Sequence, residues 1–398
     1  MATPYASRSF FRQVANSLLR EYFASRSLLD GVNWDDLGET DTGPIYDAWL
    51  ELPQERRVET DADFHVVHDL ADEAGIHVMI EEADYQHVDL VAALGELEDF
   101  HDQAMWVFLK HPKVFDIASR FSRADSLPNR SWQKRVGLPL RRPDTEDATI
   151  ARFRQALVGY YVKHEGRGHN CTVEPYKRGE QYYLFAYPED HARAEQDYEG
   201  AALRRRPHRP AFDLVFVYTP DHGTLDVYAP GGRKVIAVLQ AIFTEVILGA
   251  PLPDAEKDDR VFDLEPLQRR DFRWLYPPSS GIATVFLKRL RLSLITGEGE
   301  RISVEGKKPG DVHDLYDALV GSHGKPGPFA AHMLRVTQAE VHVDYAEIAG
   351  RKPGGKDFRV TWPNMCDLGQ DDRDAVLREM LIASGIDPSG LSRDAARR

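Results

Sequence analysis

Through roughly the first 158 positions, apolar residues recur at helical spacing. Phe10, Phe11, Val14, Leu18, Leu19, Tyr22 and Phe23 fall on one stripe of a 3.6-residue repeat, which predicts a docking helix near the start of the chain. Further on, "TDADFHVVHDLADEAGI" opens on Thr60 or Asp61 as a cap and sets Phe64, Val67 and Leu70 on one face. "DLVAALGELEDFHDQAMWVFLKHP" and "KVFDIASRF" continue the helical period, with Pro112 starting or breaking a helix. "HVMIEEA" is the one strand-like run in this part. The stretch 128–146, rich in proline and arginine, reads as a linker or ordered loop and supplies a first boundary.

Beyond it the period falls to two. "VGYYVKHEG" and "EQYYLFAYPED" read as strands joined through Gly166, Gly168 and Gly179. A strand, turn, strand, helix plan then recurs: hairpins near 213–228, 286–305 and 339–362 precede helices ending at Gly249, Gly321 and Gly385. Leu290, Leu292 and Leu294 alternate with Arg289, Arg291 and Ser293, and Val341, Val343 and Tyr345 with Glu340, His342 and Asp344. Each sheet is therefore expected to have one buried and one wet face. Val235, Ile236, Val238, Leu239, Ile242, Phe243, Val246 and Ile247 cover most of their helix, which predicts a sandwiched one. The fold class that follows is α+β: a mainly helical N-terminal region, then a β-rich region built from antiparallel hairpin-helix (ββα) units. The boundaries expected are 1–145 for a helical, charge-segregated domain, 146–250 for a central β-rich domain with a buried helix, and 251–398 for an α+β domain of two hairpin-helix units.

Charge changes this picture most. The chain carries −14 overall, but residues 30–102 hold 22 Asp and Glu against Arg56 and Arg57, a balance of −20. Residues 106–142 then carry nine Lys and Arg against Asp116 and Asp125, giving +7. Such blocks either screen one another on the surface or steer complementary partners. The second possibility selects Arg120, Arg123, Arg130, Lys134, Arg135, Arg141 and Arg142, with the run Arg204, Arg205 and Arg206, as candidate binding residues. Their loop-like, proline-containing context is where recognition side chains tend to sit. Net acidity counts against dedicated duplex binding, and no RNP, zinc-finger or other specific motif accompanies the basic segments.

Catalytic signatures are sparse. There is no GxxxxGK[ST], GxGxxG after a strand, GxSxG or CxxC. His164, His169 and Cys171 cluster in "KHEGRGHNC", yet the two histidines are five apart across glycines, whereas a zincin pair needs four on a helix. His65 or His68, then His101-Asp102, then a distant Asp such as Asp116, is similar in outline to the ligand order of metal-dependent phosphohydrolases of the HD type. There a metal-activated water attacks phosphorus. The polar context "EDFHDQ" and the intervening strand-like run separate this chain from that pattern. Asp213 and Asp226, on neighbouring strands, lack the ExK of a nuclease core.

Two distant cysteines, Cys171 and Cys366, form no disulfide framework and predict a reducing compartment, the cytoplasm. The first twenty residues contain three arginines and no acid, as a transit peptide would, but the apolar stripe runs on past Glu21 and favours a docking helix. No apolar run approaches the roughly 20 residues of a membrane span. The expectation is therefore an intracellular, non-catalytic interaction, scaffold or regulatory subunit without a cofactor. Its charge blocks select another protein as partner. The alternatives are a metal-dependent phosphohydrolase or nuclease, and a nucleic-acid-binding module.

Overall fold

The computed structural model describes residues 4–38, 41–127, 132–253, 261–294, 301–306, 316, 334–346, 354–369 and 372–388. The chain forms two compact units, Met1–Leu127 and Pro128–Arg398. The class is α+β, helical first and antiparallel afterwards. No helix among the described residues is long and apolar enough to cross a membrane.

The first unit is built from α1 (Ser7–Gln13), α2 (Asn16–Ser25), α3 (Gly43–Leu50), α4 (Gln54–Asp69), α5 (Glu73–Tyr85), α6 (Val91–Leu94), α7 (Phe100–Lys110) and α8 (Pro112–Ser126). All seven residues of the opening stripe are buried, but the expected single helix is two. The break at Ala15 has a partner: its N–H donates to Asp102 Oδ1 at 2.7 Å, so a carboxylate from α7 caps the new helix start. The face of Phe64, Val67 and Leu70 is buried as its spacing implies, although α4 begins at Gln54, so Thr60 lies inside it. Thr60 Oγ1 accepts from Trp49 Nε1 at 2.7 Å instead. The strand-like "HVMIEEA" is helix α5, with Asp72 accepting from the Gly75 N–H and Ile76, Met79 and Ala83 buried at spacings of three and four. A short run of mixed apolar residues fits either period; the cap and the longer spacing decide it.

The second unit holds two five-stranded antiparallel sheets. One has the order β1-β7-β6-β3-β2, from β1 (Trp132–Arg135), β2 (Cys171–Arg178), β3 (Gln181–Pro188), β6 (Leu214–Thr219) and β7 (Thr224–Tyr228). Helices α9 (Asp147–Glu165) and α10 (Arg233–Val246) share its core, where Phe153, Leu157, Phe216, Leu239 and Phe243 meet. The other sheet has the order β12-β11-β10-β8-β9, from β8 (Ile282–Leu294), β9 (Arg301–Glu305), β10 (Leu334–Tyr345), β11 (Gly355–Thr361) and β12 (Met365–Cys366). Leu377, Met380 and Leu381 of α11 (Asp372–Ala383) join its core.

All three expected hairpins are antiparallel: β6 with β7, β8 with β9, and β10 with β11. Helices follow the first and third, while the helix expected at 311–321 lies almost wholly outside the described residues. The alternation in β8 and β10 buries Leu290, Leu292, Val341 and Val343.

Three local expectations are corrected. "VGYYVKHEG" is the end of α9, because Phe153, Leu157 and Tyr161 are buried at spacings of four and Gly166, in the left-handed region at φ 67°, terminates the helix. The stretch 128–146 contains strand β1, paired through Trp132 to Tyr228 and Arg135 to Leu225. Helix α10 is buried on one face, through Ile236, Leu239, Gln240, Phe243 and Thr244, and leaves Val238 exposed; it is not sandwiched.

Candidate interaction surface

Between β3 and β6 the chain makes a two-stranded ribbon, β4 (Arg193–Glu199) and β5 (Ala202–His208). It continues the β3–β6 pair beyond the sheet through the bridge Glu189 to Ala211. Seven paired residues at about 3.3 Å each make an arm on the order of 20 Å long. Gly200 at φ 62° opens its two-residue turn, the position that a type II′ hairpin gives to glycine. From His191 to Arg209 every described side chain is exposed.

Register separates the ribbon's faces. Arg193 pairs with His208, Glu195 with Arg206, and Glu199 with Ala202 on one side. There Glu199 Oε2 holds both Arg204 and Arg206, at 3.3 and 3.2 Å. The opposite side presents Ala194 with Pro207, Gln196 with Arg205, and Tyr198 with Leu203. Tyr198 is 60% and Leu203 54% exposed, and Arg205 has no carboxylate partner among the described residues. The arm is thus charge-zipped on one face and presents a guanidinium among apolar groups on the other.

A clamp at the arm's base explains the "GRGHN" stretch. Arg167 donates to Asp190 Oδ1 at 2.6 Å and, through Nε and Nη2, to Glu165 Oε2, while its guanidinium lies 4.1 Å from the Phe212 ring centroid. Asp190 also accepts from Arg193 at 2.6 Å and from the His191 N–H at 2.8 Å. Burial pushes the Asp190 carboxyl up, but these three donors outweigh it and hold it at about 2. Gly168, at φ 80°, has no room for a side chain, since a Cβ there would lie 2.7 Å from Tyr161 Cβ. Arg167 and Asp190 escape sequence reading because their pairing depends on how α9 ends. The only local signal is an arginine between glycines.

The other sequence candidates separate in space. His164 packs on the Tyr160 ring, and burial pushes the Cys171 thiol up to about 11, which makes it a poor metal ligand or nucleophile. His169 is exposed. In the first unit, His68 and His101 do converge, Nδ1 to Nε2 at 3.0 Å, with Asp99 Oδ1 3.2 Å from His101 Nδ1. Asp102 instead caps Ala15, and His65 stacks on Tyr5 at 4.7 Å. Among the described residues no group of three or more His, Cys, Asp and Glu is arranged to hold a metal ion.

Of the basic candidates, Arg120 pairs with Asp116 at 3.0 Å, and Arg123, Arg141, Arg142, Arg204, Arg205 and Arg206 are exposed. Arg135 donates to the Pro253 carbonyl at 2.7 Å. Lys134 is buried, with its ammonium 2.8 Å from Asp387 Oδ2, and is withdrawn from any surface. Arg130 lies outside the described residues. Asp226 pairs across strands with Val217 and Lys134, so it does not face Asp213, which precedes β6. No protein-family model and no curated protein matches this chain.

The histidine pair carries a pH prediction. Burial lowers the His101 pKa, against the opposing pull of Asp99. A base depressed in the folded state favours folding in its neutral form. Stability is then complete above the ordinary histidine value, near 6.5, and falls as pH drops below it. Urea unfolding of the first unit is expected to shift to lower midpoint between pH 7.5 and 5.5, and His101→Gln to flatten that change. An unaltered pH slope in the variant removes His101 as its source.

Proposed function

We propose that this chain is a non-catalytic interaction protein whose β4–β5 arm docks on an acidic, partly apolar protein surface. The observation that carries the reading is the arm's open face, where Arg205 stands among Tyr198, Leu203, Ala194 and Pro207. A lone two-stranded hairpin is marginal in water and exposes both strand edges, so covering this face favours association. Tyrosine and arginine also dominate the energetics of interface centres. Glu195, Asp197 and Glu199 run along the same arm and the chain carries −14, which opposes a polyanionic nucleic acid more than a mixed protein surface.

Fluorescence anisotropy with a labelled peptide of alternating Glu and Leu, beside a labelled oligonucleotide of mixed sequence, tests this reading. Arg205→Glu is expected to weaken peptide binding by about 30-fold, the equivalent of about 2 kcal/mol. Tighter binding to the oligonucleotide, lost in the same variant, transfers the arm to nucleic acid. Equal peptide binding by both proteins removes the arm from the interaction.

A further inference from the structure

Deepening the docking reading, on which it rests, we propose that the arm's partner is a second copy of this chain, seated in a groove of that copy's helical unit. The groove runs between α2, α4, α7 and α8 and is an open depression of about 400 Å³. Val66, Leu109 and Phe115 contribute apolar surface to it, and Glu21, Asp63 and Asp116 contribute carboxylates. Val66 is 42% exposed on the helix face that lines it.

The two surfaces match in chemistry. The arm offers a cation flanked by apolar groups, and the groove offers apolar surface flanked by three carboxylates and one arginine, Arg26. Each groove carboxylate already holds one cation of its own chain: Arg26 on Asp63 at 3.0 Å, Lys110 on Glu21 at 2.5 Å, and Arg120 on Asp116 at 3.0 Å. A carboxylate has about four lone-pair sites, so one bound donor leaves room for another. Asp116, on the most exposed of the three carboxylate side chains, is the natural acceptor for Arg205.

Pairing of two arms face to face is the competing self-contact, and charge opposes it. Arg205 with Gln196 sits midway along the open face, so a twofold stack brings the two Arg205 side chains towards each other. Arm-in-groove is a heterologous contact that avoids this repulsion.

Sedimentation velocity of the purified full chain at rising concentration, up to about 100 µM, tests the proposal. Species larger than the monomer are expected in the wild type and are expected to be lost in Arg205→Glu and in Asp116→Arg. An equimolar mixture of the two variants is expected to recover association, because the reversed arm then meets the reversed groove. Circular dichroism melts confirm that both variants are folded. A wild type that stays monomeric overturns the proposal, as does a folded mixture that fails to recover association. If the wild type is monomeric but the acidic peptide still binds and Arg205→Glu abolishes that binding, the docking arm stands and only the second copy falls.

Discussion

Replacing Lys134 by alanine is expected to cost the second unit about 3 to 5 kcal/mol of stability, since removing one member of a buried ion pair strands the other in a low-dielectric interior. Lys134 and Asp387 are both buried, 2.8 Å apart. Around them the chain gathers Asp226, Asp374 and Arg378, with Lys356 paired to Asp374. Arg378 donates to the carbonyls of Leu368 and Gly369, at 2.8 and 3.2 Å. Three cations face three carboxylates, so the loss of Lys134 leaves an excess negative charge in a largely buried cluster. The paired change Lys134→Met with Asp387→Leu is expected to return most of the loss, because apolar replacement of both partners is often close to neutral. Urea unfolding, with hydrogen exchange of the β1 and β12 amides, checks both outcomes. A single variant that is as stable as the wild type shows that the pair contributes nothing.

In the helical unit the largest effect is expected at Phe64. Its ring is fully buried, with ring centroids of Phe10 at 4.7 Å, Tyr22 at 4.9 Å, Phe11 at 5.4 Å and Phe23 at 5.9 Å. Phe64→Ala removes contacts to α1 and α2 together and leaves a cavity that rigid neighbouring rings close poorly, at a cost of about 3 to 5 kcal/mol. Phe64→Leu keeps more of the volume and is expected to lose less than the alanine variant. Thermal unfolding of the three proteins ranks them. Equal melting of the alanine and wild-type proteins places the weight of this core elsewhere.

The class of fold was legible because it rests on period. Long amphipathic stretches such as the stripe from Phe10 to Phe23, and the strict alternation in β8 and β10, each specify one buried face. Elements whose apolar residues fit two periods were not legible. "VGYYVKHEG" alternates locally, yet it is helical because Phe153 and Leu157, upstream of it, share a face with Tyr161. β1 was hidden for a different reason. Four residues, "WQKR", have little pattern of their own and become a strand because β7 supplies an edge. The surface is a similar case. The arginine run was visible in the sequence, but the division of Arg204 and Arg206 from Arg205 depends on register with β4. Adjacent basic residues that look equivalent in sequence therefore differ in what they can bind.

The short strand β1 also orders events during synthesis. Its Lys134 N–H donates to the Asn364 carbonyl at 3.1 Å, and its side chain waits for Asp387, 253 positions later. On a ribosome moving N- to C-terminally, the first sheet can assemble once β7 has emerged and set Asp226 opposite Lys134, but the Asp387 partner of that lysine is missing until nearly the whole second unit is available. Contacts of such long sequence separation are slow to close. Premature release of a chain lacking α11 and Asp387 leaves the charge cluster incomplete and the second sheet's core without Leu377, Met380 and Leu381, a species prone to capture by chaperones or by other unfinished chains.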